Sequence, residues 1–79
     1  MARFSQNLIG KRVKHARLEG RRRFTQEALS QKLSDLGVHI DRAGVAKVET
    51  GIRSVLDYEL VAFANALDVK VLWLLGVKE

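Results

Sequence analysis

At 79 residues and 47% hydrophobic content, the chain has room for one domain and the apolar material to build its core. It has no Cys and no signal-peptide pattern, and its apolar run Val71–Leu75 is far too short to cross a bilayer. A disulfide framework, a thiolate zinc site and a membrane span are thereby excluded, and a soluble intracellular protein is expected. Fourteen Lys and Arg against nine Asp and Glu give a net charge of +5 and a pI near 10.1. From Arg3 to Arg23 there are eight cations, including Arg21-Arg22-Arg23, and one acid, Glu19, a distribution that suits a polyanion, either nucleic acid or an anionic membrane surface.

There is no Pro, and apolar residues recur at helical spacing throughout. In the first segment Ile9, Val13 and Ala16 share a face opposite Lys11 and Lys14, and the helix is expected to end near Gly20. Thr25 is the N-cap candidate of the second helix, with Phe24 and Leu29 placed to form a hydrophobic staple. Leu29, Leu33 and Leu36 continue the inner face as far as Gly37. There a left-handed residue would fold Val38 back onto Leu33 in a Schellman ending. Asp41 caps the third helix, Ile40 and Val45 form its staple, and Gly51 ends it after Thr50. Neither start is a full capping box, because Ala28 and Gly44 stand where Glu or Gln is wanted. Leu56, Leu60, Phe63, Ala64 and Leu67 form the stripe of a fourth helix. A short fifth helix over Val71–Leu75 has Lys70 where a capping side chain would stand. Five short helices with short loops make an all-α single domain over 1–79.

The third helix has a face to spare. At 100° per residue Val45 and Val48 point inward with Glu49 beside them, whereas Ala43, Ala46, Lys47 and Thr50 point outward and Arg42 sits at the exposed N-terminal edge. A solvated surface is the commoner fate of such residues. Small side chains and two cations also suit a major groove, where Arg42 can bond a guanine edge with two donors and Lys47 can reach a base or a phosphate. Gln26, in the first turn of the second helix, lies where free backbone N–H groups and the helix dipole favour a phosphate. Thr50 and Arg53 could grip another at the far end of the third helix.

These residues resemble the Cro- and phage-repressor-like helix-turn-helix domains, the XRE family, from about Ile9 to Gly76. The likeness rests on Ile9-Gly10 and Arg17, on Thr25-Gln26-Glu27-Ala28-Leu29, and on Val45-Ala46-Lys47-Val48-Glu49-Thr50-Gly51. Ala66-Leu67-Asp68-Val69 and Trp73-Leu74-Leu75 complete it. The resemblance implies a five-helix, lambda-repressor-like bundle with its helix-turn-helix at about 25–50. It also implies sequence-specific binding of double-stranded DNA, commonly as a transcriptional repressor. By position, Arg42, Ala43 and Lys47 match base-contacting sites, with Gly44 and Ala46 beside them. Gln26, Thr50 and Arg53 match phosphate-contacting sites, and Arg17 and Glu49 match a salt bridge between the first and third helices. A carboxylate near the inner face needs a cation, which favours that pairing over the alternative of Arg17 as one more DNA-facing base in a basic segment.

Three departures stand out. Ser34 occupies the turn position where Gly is usual, and a few extra residues separate the second and third helices. Gly44 offers no side chain to a base and costs roughly 1 kcal/mol in helix propensity. The triple arginine lengthens the first connection and adds a candidate backbone contact.

One protomer touches too little duplex for genomic selectivity, so a homodimer on a near-palindromic operator is expected, its third helices about 34 Å apart. The location implied is cytoplasmic and nucleoid-associated, of bacterial or phage type. No enzyme is expected: His15 and His39 are isolated, no nucleophile–base pair or Gly-rich phosphate loop occurs, and no cofactor or metal site is read. The rival reading is a protein-interaction module, such as the antitoxin half of a toxin–antitoxin pair. In it Trp73, pointing away from the Val71/Leu74/Leu75 stripe beside Leu72, would meet a partner. That reading would call for a long neutralising tail, which is not expected here, and DNA is the favoured reading.

Overall fold

The computed structural model describes residues 5–20 and 23–77, so the Arg21 and Arg22 positions of the triple arginine lie outside the described residues. Five helices follow one another: α1 (Gly10–Glu19), α2 (Gln26–Asp35), α3 (Arg42–Glu49), α4 (Asp57–Leu67) and α5 (Val71–Leu75). No strand occurs among the described residues. The protein is an all-α bundle.

Local chemistry sets most of the helix boundaries. Thr25 Oγ1 accepts the Ala28 N–H at 3.0 Å and Asp41 Oδ1 accepts the Gly44 N–H at 2.7 Å, so each side chain satisfies a backbone donor that its helix leaves unpaired. After α2, Gly37 adopts φ +83° and the Val38 N–H returns to the Leu33 carbonyl at 2.9 Å, the Schellman ending. Gly51, at φ +81°, lets the Ile52 N–H return to the Lys47 carbonyl at 2.9 Å in the same way. Glu59 reaches back from α4 to accept the Leu56 N–H at 3.0 Å, which is half of a capping box. Leucine has no side-chain oxygen to supply the other half.

The start of α1 is organised by a residue without a sequence-level expectation. Asn7 Oδ1 accepts the N–H groups of Ile9 and Gly10 at 2.9 and 2.7 Å. Its Nδ2 donates to the carbonyls of Val48 at 3.0 Å and Arg53 at 2.8 Å. One amide thus caps α1 and ties it to the end of α3 and the loop beyond. Gly10 makes that approach possible, because a β-carbon there would run into the Val48 carbonyl oxygen.

Phe63, Leu29, Leu33, Leu74, Val13, Val45 and Val48 are fully buried, and each such side chain is worth roughly 1.5–3 kcal/mol of transfer free energy. They join α1, α2, α3, α4 and α5 in one core, with α3 packed against both α1 and α2. Two expected core positions differ. Leu36 lies beyond the last residue of α2 and is 48% exposed, its place being taken by Val38. Leu56 stands at the N-cap of α4 and is 52% exposed, so the α4 stripe starts with half-buried Leu60 and fully buried Phe63.

Candidate nucleic-acid interface

The orientation of α3 is held by a buried ionic cluster. Arg17 of α1 meets Glu49 of α3 through two contacts, Nε to Oε2 at 2.6 Å and Nη2 to Oε1 at 3.0 Å. The two side chains are 9% and 2% exposed. Arg17 Nη1 donates to the Phe24 carbonyl at 3.0 Å, and Gln26 Nε2 donates to Glu49 Oε1 at 3.1 Å. One carboxylate therefore links three helices, and its charge is both paired and fully hydrogen-bonded, the condition under which a buried ion is tolerated.

With Val45, Val48 and Glu49 inward, α3 presents Arg42, Ala43, Lys47 and Thr50 to solvent and leaves Ala46 and Gly44 half-buried on its flanks. Arg42 and Lys47 form no ion pair with any described residue, and no carboxylate of α3 shares their face. Lys11, Arg12 and Lys14 of α1 and Arg23 are exposed as well. Thr50 is exposed, and its hydroxyl donates to the Ala46 and Lys47 carbonyls at 3.1 and 3.3 Å, leaving its oxygen lone pairs outward.

Three of the expected contact residues are engaged within the protein. Gln26, expected at a phosphate through the backbone N–H groups of the first turn of α2, has its side-chain amide N–H turned inward onto Glu49, because a buried carboxylate outcompetes solvent for a donor beside it. Arg53, also expected at a phosphate, grips Glu59 with Nη1 to Oε1 at 2.9 Å and Nη2 to Oε2 at 3.1 Å, which engages part of its guanidinium. That fork holds the Glu59 carboxyl below its usual range against the upward push of burial, with the Leu56 N–H adding to the effect, and it raises the Arg53 pKa. Gly44 faces the Ile40 side chain: a β-carbon there would lie 2.7 Å from Ile40 Cγ2 and 3.1 Å from Asp41 Oδ1. Close packing within the protein therefore accounts for this glycine.

Trp73 also departs from expectation. It is half-buried and packs on the core, its ring centroid 6.1 Å from that of His15 and 5.8 Å from the Arg12 guanidinium carbon. The indole thus lies partly against α1. His39 is exposed between buried Val38 and Ile40, and no group of His, Cys, Asp and Glu among the described residues could hold a metal ion. No helix among the described residues is long and apolar enough to cross a membrane.

Asn7 and Glu59 escaped the sequence reading. Glu59 carried a usable signal, an acid three residues after the residue preceding a helix. Asn7 carried none, because its carbonyl partners lie 41 and 46 residues away.

The chain matches no family model, no curated protein and no solved structure. Its class rests on its own geometry: an all-α five-helix domain presenting a cationic helix face that carries no acid.

Proposed function

We propose that the protein is a sequence-specific double-stranded DNA-binding regulator of the XRE type, a repressor acting as a homodimer on a near-palindromic operator, without enzymatic activity. The observation that carries this reading is the outward face of α3. Arg42 and Lys47 stand there unpaired beside the small residues Ala43 and Ala46, on a helix locked in place by the Arg17–Glu49 cluster. A major groove about 12 Å wide accepts a helix of about 10–12 Å, and small side chains let the backbone approach the base edges. The exposed cations of α1 and Arg23 add sequence-independent attraction. Trp73, on which the protein-interaction alternative rested, is half-buried with His15 and Arg12 beside it, so its indole offers a partner only part of its surface. The site of action under this reading is the cytoplasm, at the nucleoid.

The test is in-vitro selection of bound duplexes at fixed salt, followed by affinities on the selected site and on mixed-sequence duplex. Arg42→Ala is expected to cost ~1–3 kcal/mol on the selected site and to relax preference at one base position. Lys47→Ala does the same if it reads a base, and lowers both affinities together if it holds a phosphate. Equal loss on both duplexes for Arg42→Ala would refute base reading by Arg42, and selection yielding no motif would refute sequence-specific binding.

A further inference from the structure

The connection between α2 and α3 is longer than a minimal turn needs, and it is rigid. The Val38 N–H is fixed to Leu33, the Ile40 carbonyl accepts the Ser30 hydroxyl at 2.6 Å, and Asp41 caps α3. Val38 and Ile40 are buried, 8% and 4% exposed, and act as two anchors that hold His39 outward between them. His39 Nδ1 lies 3.4 Å from Ser34 Oγ, so a side chain in an exposed loop already has a neighbour that orients it.

His39 and Ser34 line an open depression of about 500 Å³ bounded by Gly44 on one side and Arg53 on another. Arg53 spends three of its N–H donors, two on Glu59 and one on the Ser54 carbonyl. A guanidinium has about five in all, so Nε–H and one Nη2 hydrogen remain. That Nε lies 3.9 Å from the position a Gly44 β-carbon would take, and both residues line the depression. The carboxylate on the rim is Asp41, whose Oδ1 is engaged by the Gly44 N–H, while Asp35 further along α2 is bonded to Gln31. The depression thus offers the free N–H groups of Arg53 and the His39–Ser34 pair, and the one acid among its lining residues is tied to the α3 N-terminus.

Its position on α3 gives it a role. At 100° per residue, Gly44 sits about 60° around the helix from Lys47, on the flank opposite the one that meets Gln26 through Glu49. A helix filling a major groove has a phosphate strand along each flank. The start of α2 lies beside one flank, and the depression opens beside the other.

We propose that this depression is a phosphate-backbone site, in which His39, Ser34 and the free Nε–H of Arg53 hold DNA phosphates on the Gly44 side of α3. The inference rests on the DNA-binding reading above, keeps Arg53 as a phosphate contact through its Nε–H, and adds His39 and Ser34 to it. Either tautomer of the imidazole offers one N–H, and the serine hydroxyl offers a second donor. A backbone contact carries no sequence information, so its loss weakens all duplexes alike.

The test measures His39→Ala, His39→Gln and Ser34→Ala on the selected duplex and on mixed-sequence duplex, alongside phosphate-ethylation interference. His39→Ala and Ser34→Ala are each expected to weaken binding by roughly three- to tenfold on both duplexes equally. His39→Gln, which keeps a donor, is expected to retain most of the affinity. Ethylation of the phosphates on that flank is expected to block the wild type and to lose its effect in His39→Ala. His39 is exposed and Ser34 half-buried, and thermal melting checks that the variants fold. Unchanged affinity and an unchanged interference pattern in variants that fold, with the wild type still binding, would overturn the site while leaving the DNA reading intact. A wild type that bound no duplex would overturn both.

Discussion

Replacing Glu49 should remove a large share of the stability of this domain while leaving its hydrophobic core untouched. Its carboxylate accepts two bonds from Arg17 and one from Gln26. In Glu49→Leu the Arg17 guanidinium stays buried with one remaining bond, to the Phe24 carbonyl. Breaking a buried pair from one side costs ~3–5 kcal/mol. At ~0.05–0.15 kcal/mol per residue, 79 residues hold only about 4–12 kcal/mol in total. With ~4–8 °C lost per kcal/mol, the melting temperature should fall by about 12–40 °C. The double variant Arg17→Met/Glu49→Leu removes both charges, so its cost reduces to the Phe24 carbonyl and the Gln26 amide left without partners, ~1–3 kcal/mol each. Urea denaturation followed by Trp73 fluorescence on the wild type, both single variants and the double variant measures the coupling. A coupling energy of about 2 kcal/mol or more is expected, because each single change strands a buried charge. Single effects that add within ~0.5 kcal/mol would refute the cluster as the element that orients α3.

Two further perturbations test the frame around that helix. Asn7→Ala removes a cap from α1 and two donors from the Val48 and Arg53 carbonyls, and should cost roughly 2–4 kcal/mol by calorimetry, with faster amide exchange in the α3–α4 loop. Glu59 has its folded pKa depressed below the ordinary 4.5, first by the Arg53 hydrogen bonds. Its stabilisation is therefore present above pH 4.5 and is lost as the pH falls below that value through the lowered folded pKa. Urea midpoints measured across that acid range should fall in the wild type and fall less steeply in Glu59→Gln.

What could be read from the sequence was what local chemistry decides. Thr25, Gly37, Asp41 and Gly51 act within a few residues of themselves, and each does in the structure what its type and spacing require. The inner faces of α1 and α3 were legible for the same reason, since a 3.6-residue period needs no tertiary partner to be seen. Stripe ends were harder: Leu36 and Leu56 fit the period but lie just past the helix end and just before the helix start, where the period no longer dictates burial. Long-range choices were the least legible. Gln26 and Arg53 each had a solvent-facing and a protein-facing option, and in both cases a buried carboxylate from another helix decided it.

Gly44 is where these two kinds of information compete, and one substitution separates them. Read for function, a glycine in a groove-facing helix allows close approach to DNA; read for packing, it makes room for Ile40. An Ala β-carbon at 2.7 Å from Ile40 Cγ2 would press on a β-branched side chain that is only 4% exposed, and at 3.1 Å from Asp41 Oδ1 it would also crowd the cap. Overpacking costs ~1–3 kcal/mol, and the gain in helix propensity offsets ~1 kcal/mol of it. Gly44→Ala is therefore expected to destabilise by up to about 2 kcal/mol, with weaker DNA binding following from a displaced α3 start. If glycine were required only for approach to DNA, the same variant would keep or gain stability, by up to about 1 kcal/mol, while still losing affinity. Denaturation without DNA distinguishes the two, because the packing cost is present in the free protein and an approach cost arises only on the duplex.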